Sequence, residues 1–144
     1  MNAAAVYARI RVSGVVQDLF RCAVRRAYEG RCASCGFSFE GALDAVHIVP
    51  WRDSSPEMRL SPANGLLLCT NHHRLFDTGM ITLTTDGRIE YFNPDGQEAP
   101  YTDVDRIMTL DLHGRQAQLP ERLDWRPSVD HLRQRHGLDG WELR

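Results

Sequence analysis

Apolar residues recur at helical spacing between residues 15 and 28, at Val15, Val16, Leu19, Phe20, Ala23, Val24, Ala27 and Tyr28. This spacing predicts an amphipathic helix, with Ser13 as its N-cap and Gly30 as its stop. Arg21, Arg25 and Arg26 fall off the apolar stripe, on a solvated face or along a nucleic-acid backbone. Cys22 lies beside the stripe and reads as a small buried hydrophobe. Upstream, residues 6–12 alternate weakly, with Ala8, Ile10 and Val12 opposite Tyr7, Arg9 and Arg11, as in a short strand or a loose arm. Residues 43–49 and 65–69 read as strands, joined by a polar, Pro-containing loop over 50–63 without periodicity. Residues 71–78 read as a short helix, capped by Thr70 and ended by Gly79. Residues 81–84 and 88–92 flank Asp86-Gly87, a strong hairpin signal, and Asn93-Pro94-Asp95-Gly96 is a turn. Residues 107–112 read as a further strand. Ser128 caps a last helix through His136, with Gly137 as its end.

Mixed elements of this kind make an α+β chain, and 144 residues suit one domain with a real core. The expected unit is 13–144, preceded by an arm or strand over 1–12. No apolar run is long enough to span a membrane. Arg9 and Arg11 interrupt the N-terminal apolar stretch before a signal-peptide core forms. A cytoplasmic location follows as the default, and there four cysteines are thiols or metal ligands rather than disulfides.

The net charge of −2 argues against a general nucleic-acid binder, but its distribution changes that picture. Residues 1–35 hold six Arg against Asp18 and Glu29, whereas residues 86–111 hold seven acids against Arg88 and Arg106. A local basic face is therefore compatible with the overall balance. All 17 basic residues are Arg, which grips phosphate bidentately where Lys cannot; codon bias in a GC-rich genome is the plainer source of that usage.

Two chemistries interleave between residues 32 and 77. Cys32-x-x-Cys35 and Cys69-x-x-His72 are two ligand pairs with the spacing of a closed tetrahedral Zn²⁺ site. One pair precedes the first strand and the other lies where the second strand enters the helix. One ion would staple the unit's two ends, contributing on the order of 10 kcal/mol to folding. His47, Asn64 and His73 are a second set that this cluster does not use.

Ala45-Val46-His47-Ile48-Val49-Pro50-Trp51, followed by Asn64-Gly-Leu-Leu-Leu-Cys69-Thr-Asn-His72-His73-Arg-Leu-Phe76-Asp77, resembles the HNH endonucleases, the ββα-metal nucleases. The resemblance covers residues 20–92 well and the C-terminal third only loosely. It implies a ββα-metal core over about 43–79, with a zinc knuckle, an N-terminal helix and a C-terminal β-hairpin plus helix. It also implies that His47 is the general base, that Asn64 orients it by accepting from its ring N–H, and that His73 binds the reaction's metal. A neutral imidazole deprotonates water near neutral pH, and a divalent ion holds the phosphate and the leaving oxygen. The chain departs from the commonest family pattern at Val46, where the family often carries a metal-binding Asp or His. Asp77 is one substitute, four residues after His73 on one helical face; the Asn64 side-chain oxygen is another; Asp44 ranks last, a two-residue step of roughly 6–7 Å from position 46. Oxygen ligands with one imidazole suit Mg²⁺ or Mn²⁺. Arg52, Arg59 and Arg74 flank the set as candidate DNA-phosphate contacts.

The expected function is metal-dependent hydrolysis of DNA in restriction, phage defence or a mobile element, a context that rests on the resemblance. Two rivals are a non-catalytic zinc-stabilised binding or interaction module, favoured by Val46 and the acidic net charge, and a nuclease effector targeted or activated by a partner protein. A homodimer would turn one nicking site into paired cuts.

Overall fold

The computed structural model describes residues 2–97 and 100–143. A long helix, α1 (Ala3–Ala27), leads into an antiparallel pair, β1 (Leu43–His47) and β2 (Gly65–Cys69). A short helix, α2 (Pro56–Leu60), lies in the connection between them. From β2 the chain enters α3 (Thr70–Asp77) without a break. A second antiparallel pair, β3 (Ile81–Leu83) and β4 (Ile89–Tyr91), follows, then α4 (Asp103–Met108) and α5 (Val129–Asp139).

The register pairs Leu43 with Cys69 and His47 with Gly65. All five residues of β2 are buried, because α1 and α3 both pack on it. That is why its sequence is a continuous apolar run rather than an alternating one. Phe20, Val24, Ala27 and Tyr28 of α1 join Leu66, Leu67, Leu68, Phe76, Ile81 and Ile89 in one core. Gly65 is required by that packing: a Cβ there would lie 2.5 Å from the Val24 side chain and 3.1 Å from the Phe20 ring. The Tyr28 hydroxyl donates to the Gly65 carbonyl at 2.9 Å, closing the same contact with a hydrogen bond.

Several sequence expectations give way here. Residues 3–12 are neither strand nor arm but the first turns of α1. The Asn2 side chain accepts from the Ala5 N–H and caps the helix, so Ser13 is an interior residue rather than the cap. Strong helix formers at Ala3–Ala5 outweigh a weak alternation. Cys22 is exposed, not buried, because the core-facing side of α1 is the one carrying Phe20, Val24 and Ala27. The 50–63 loop contains α2, started by Ser55 accepting from the Met58 N–H ahead of Pro56, a cap-and-proline signal that needs no periodicity. Residues 107–112 are not a strand. Thr102 and Asp105 form a reciprocal capping box that starts α4, and a single 3₁₀ turn, Leu110–Leu112, follows. At the C-terminus Gly137 is carried inside α5, which ends at Gly140 with a left-handed φ of 80°.

Candidate metal and hydrolytic site

The first knuckle is a tight turn. Gly36 N–H donates to the Cys32 carbonyl at 2.9 Å, and Gly36 has a φ of 77° that favours glycine. Ala33 N–H then donates to the Leu67 carbonyl at 2.8 Å, tying the knuckle to β2. This brings Cys32 and Cys35 to Cys69 and His72 at the β2–α3 junction, with all four ligand atoms within 4.8 Å of one another. The Cys69 Sγ to His72 Nδ1 distance is 3.3 Å, Cys32 Sγ to His72 Nδ1 is 3.7 Å, and Cys35 Sγ to Cys69 Sγ is 3.9 Å. Tetrahedral Zn²⁺ with ordinary bond lengths sets ligand–ligand edges of roughly 3.6–3.8 Å. The donor set fits that ion. His72 is fully buried, and its Nε2 lies 2.9 Å from the Met108 carbonyl. A carbonyl only accepts, so Nε2 carries the proton and Nδ1 presents its lone pair to the sulfurs. Hydrogen bonds from Cys35 and Cys69 hold the Cys32 thiol well below its usual range, and the same crowding by Cys32 and Cys69 pushes Cys35 up. The sulfurs compete for protons that a central cation would displace from all of them.

His47 ends β1. Its ring stacks on Phe20, with centroids 3.7 Å apart and planes 9° apart, and meets the Trp51 ring edge-on at 5.9 Å. Its Nε2 lies 3.1 Å from the Arg59 carbonyl, so Nε2 is the donor and Nδ1 keeps its lone pair. Burial draws the His47 pKa below the usual 6.5, only partly opposed by the Arg59 carbonyl bond. The imidazole is therefore neutral at pH 7. Together with Gln17, Phe20, Arg21, Ala45 and Trp51 it lines a cleft of about 160 Å³.

The Asn64 side chain does not reach the His47 ring, contrary to the sequence expectation. It is fully buried and organises the intervening loop. Its Oδ1 accepts from the Val49 N–H at 2.9 Å, and its Nδ2 faces the Val49 carbonyl, the Ser54 hydroxyl and the Met58 carbonyl at 3.2–3.3 Å. Arg59 follows Met58, so Asn64 shapes the segment whose carbonyl holds His47. The orienting contact is one residue removed from the side chain that the sequence pointed to.

His73 is flanked on both ring nitrogens: Nδ1 lies 2.9 Å from Asp44 Oδ2 and Nε2 lies 3.0 Å from Asp77 Oδ2. Asp44, ranked last from the sequence, thus stands beside His73 together with Asp77. α3 packs against β1 and so brings His73 to Asp44. Val46 itself is buried in the core.

Of the candidate phosphate contacts, Arg52 is open, 84% exposed at its side chain and 3.4 Å from Asp53. Arg59 is folded back, with its guanidinium 4.3 Å from the centre of the Trp51 ring and its Nε donating to the Trp51 carbonyl. Arg74 is exposed on the outer side of α3, in a groove with Asn71, Leu75 and Val104. Arg135 escaped the sequence reading altogether. It is buried in α5 and reaches both His47's strand and Asp77. In sequence it is one arginine among 17, with nothing to mark it as buried.

Among the described residues no helix is long and apolar enough to cross a membrane. Residues 32–84 match the family model described as HNH endonuclease. No curated protein matches the chain. A solved structure, "Modification dependent TagI restriction endonuclease", is similar in fold, with a TM-score of 0.53 and 20% sequence identity. The similarity covers 83% of this chain but only 36% of the restriction endonuclease, so this chain spans about a third of that protein's length. The segment from the cysteine knuckles to the end of β3 is thus the part of the chain that is similar to the HNH endonuclease family, and α1 and α5 pack around it.

Proposed function

We propose that this chain is a metal-dependent endonuclease that hydrolyses DNA phosphodiester bonds, with His47 as general base. The observation that carries this reading is the state of His47. Its Nε2 is committed to the Arg59 carbonyl, burial keeps the ring neutral at pH 7, and Nδ1 retains the lone pair that would take a proton from water. Asn64 supports this indirectly, by fixing the loop that supplies the carbonyl.

A divalent cation, Mg²⁺ or Mn²⁺, would supply charge neutralisation on the phosphate and the leaving oxygen. His73 Nε2 and Asp77 Oδ2 are the pair that would hold it. Asp44 on Nδ1 would then fix the ring's tautomer, the usual role of a carboxylate behind a metal-binding histidine. Arg52 and Arg74, the exposed arginines of the set, would meet DNA phosphates, while Arg59 braces the loop through Trp51. A role in restriction and a preference for modified DNA are suggested by the neighbour's description, and phage defence by the family resemblance; all are part of this proposal.

The test is cleavage of supercoiled plasmid, unmodified and modified, with Mg²⁺ or Mn²⁺. Nicked or linear product is expected, abolished by EDTA and by His47→Ala. A folded, zinc-loaded protein that leaves every plasmid intact would favour the rival reading, a zinc-stabilised binding module, for which the apolar Val46 speaks.

A further inference from the structure

We propose that Arg135 is a positioning residue for this hydrolytic site, acting through Asp77; the proposal rests on the reading above. Arg135 lies in α5, outside the 32–84 segment that carries the family match. Its side chain is 6% exposed. One edge of the guanidinium faces β1: Nη1 donates to the Ile48 carbonyl at 3.1 Å and lies 3.5 Å from the His47 carbonyl. The other faces α3: Nη2 lies 3.3 Å from the Phe76 carbonyl and 3.4 Å from Asp77 Oδ1. Nε donates to Asp139 at 2.7 Å, and the guanidinium carbon lies over the Phe76 ring, 4.1 Å from its centre.

A single rigid fork therefore touches the backbone of the base and the carboxylate beside His73. It divides the work of Asp77 between its two oxygens, Oδ1 on Arg135 and Oδ2 on His73 Nε2. Asp44 holds the opposite ring nitrogen, so the chain Arg135–Asp77–His73–Asp44 fixes one orientation of each group. The fork itself has little freedom. His131 Nδ1 and Ser128 N–H lie on the Ala63 carbonyl at 3.2 and 2.9 Å, and His136 Nε2 lies 2.7 Å from the Leu83 carbonyl, so α5 is bolted to both hairpins. Packing alone does not account for the residue. A buried guanidinium is costly to desolvate, and an apolar side chain of similar volume often stabilises as well. What the planar fork adds is a fixed spacing between two segments.

The experiment is a double-mutant cycle on Mn²⁺ affinity, read by the EPR signal of free Mn²⁺ during titration of the zinc-loaded protein. It uses the native chain, Arg135→Met, Arg135→Lys, Asp77→Asn and the Arg135→Met/Asp77→Asn double variant, with plasmid cleavage and thermal melts alongside. Loss of an outer partner of a metal ligand weakens binding by about 10–100-fold, and that loss is expected in both Arg135 variants, Lys included, because charge without the fork does not restore the spacing. In the Asp77→Asn background Arg135→Met is expected to add nothing, since coupled residues do not sum. Native Mn²⁺ affinity in folded Arg135 variants overturns the proposal, as does a loss fully additive with Asp77→Asn. Loss of the cooperative melt in both Arg135 variants assigns the residue to folding alone and also overturns it. If the native protein binds Mn²⁺ but cuts no DNA, the nuclease reading fails while the affinity cycle still decides Arg135. If it binds no Mn²⁺, both fail.

Discussion

His72 and His73 are neighbours in sequence and belong to opposite kinds of centre. His72 is fully buried among three sulfurs, with its far nitrogen on a backbone carbonyl. His73 is one-third exposed at its side chain and stands between two carboxylates. A helix turns about 100° per residue, so adjacent side chains point to different surroundings. In the proposed reading the difference separates two tasks. A closed, soft, water-excluding donor set suits an ion that holds the fold, whereas hard oxygen donors at a surface leave room for water and phosphate. One helix can serve both because its N-terminal end abuts the cysteine knuckles while its later turn faces β1 and α5.

The largest effect expected from this contrast concerns the sulfur centre. Stripping zinc with a strong chelator, or replacing Cys69 by Ser, should abolish the cooperative thermal melt, since a structural Zn²⁺ contributes on the order of 10 kcal/mol. Circular dichroism with metal analysis checks this. A chelated protein that melts as before would show that the two centres do not divide the work as described.

Asn64→Ala comes next. It strands the Val49 N–H and the Met58 carbonyl, at about 1–3 kcal/mol for each group left without a partner, while the Val49 carbonyl keeps the Ser54 hydroxyl as its donor. Denaturant unfolding should show a loss of about 3 kcal/mol by the same reckoning, with zinc retained. A stable Asn64→Ala protein that is nonetheless inactive would instead place the side chain directly on the chemistry.

Replacing the carboxylates beside His73 tests the proposed reaction centre. Asp77→Asn is expected to raise the Mn²⁺ concentration needed for half-maximal cleavage more than Asp44→Asn does, with the latter costing about 10-fold as an outer partner. Neither should move the melt by more than about 1 kcal/mol, as both are partly exposed surface groups. A reversed order would make Asp44 the ligand and Asp77 its support.

The smallest effect is in the pH profile. The His47 pKa lies below its usual 6.5, so the acid limb of kcat/KM should fall below pH 6.5. The unprotonated base persists as pH drops to that point and is lost only beneath it. The same depression means the unfolded chain binds more protons than the folded one just below pH 6.5, so stability also declines there as pH falls. An acid limb above pH 6.5 would contradict a desolvated His47.

Much of this was legible in one dimension. The two ligand pairs are separated by two residues each because a knuckle and a strand-to-helix turn have fixed local geometry, and local geometry is written locally. β2 was recognisable to the residue from its apolar run between Asn64 and Thr70, and the Asp86-Gly87 hairpin from its turn chemistry. The resemblance picked out His47, Asn64 and His73 as a set, and helical spacing offered Asp77 as one companion to His73. What the sequence misjudged were choices settled by competition. Strong helix formers extended α1 over a weak alternation, and a capping box overrode apolar pairs at 107–112. The contacts within the site were decided by tertiary structure alone. Whether Asn64 holds a ring or a loop, whether Asp44 meets His73, and which of 17 arginines lies buried between β1 and α3 depend on how helices cross a hairpin. Those crossings are fixed by the packing of Phe20, Val24, Phe76 and Leu132 across separations of tens of residues, and residue spacing within one element carries no record of them.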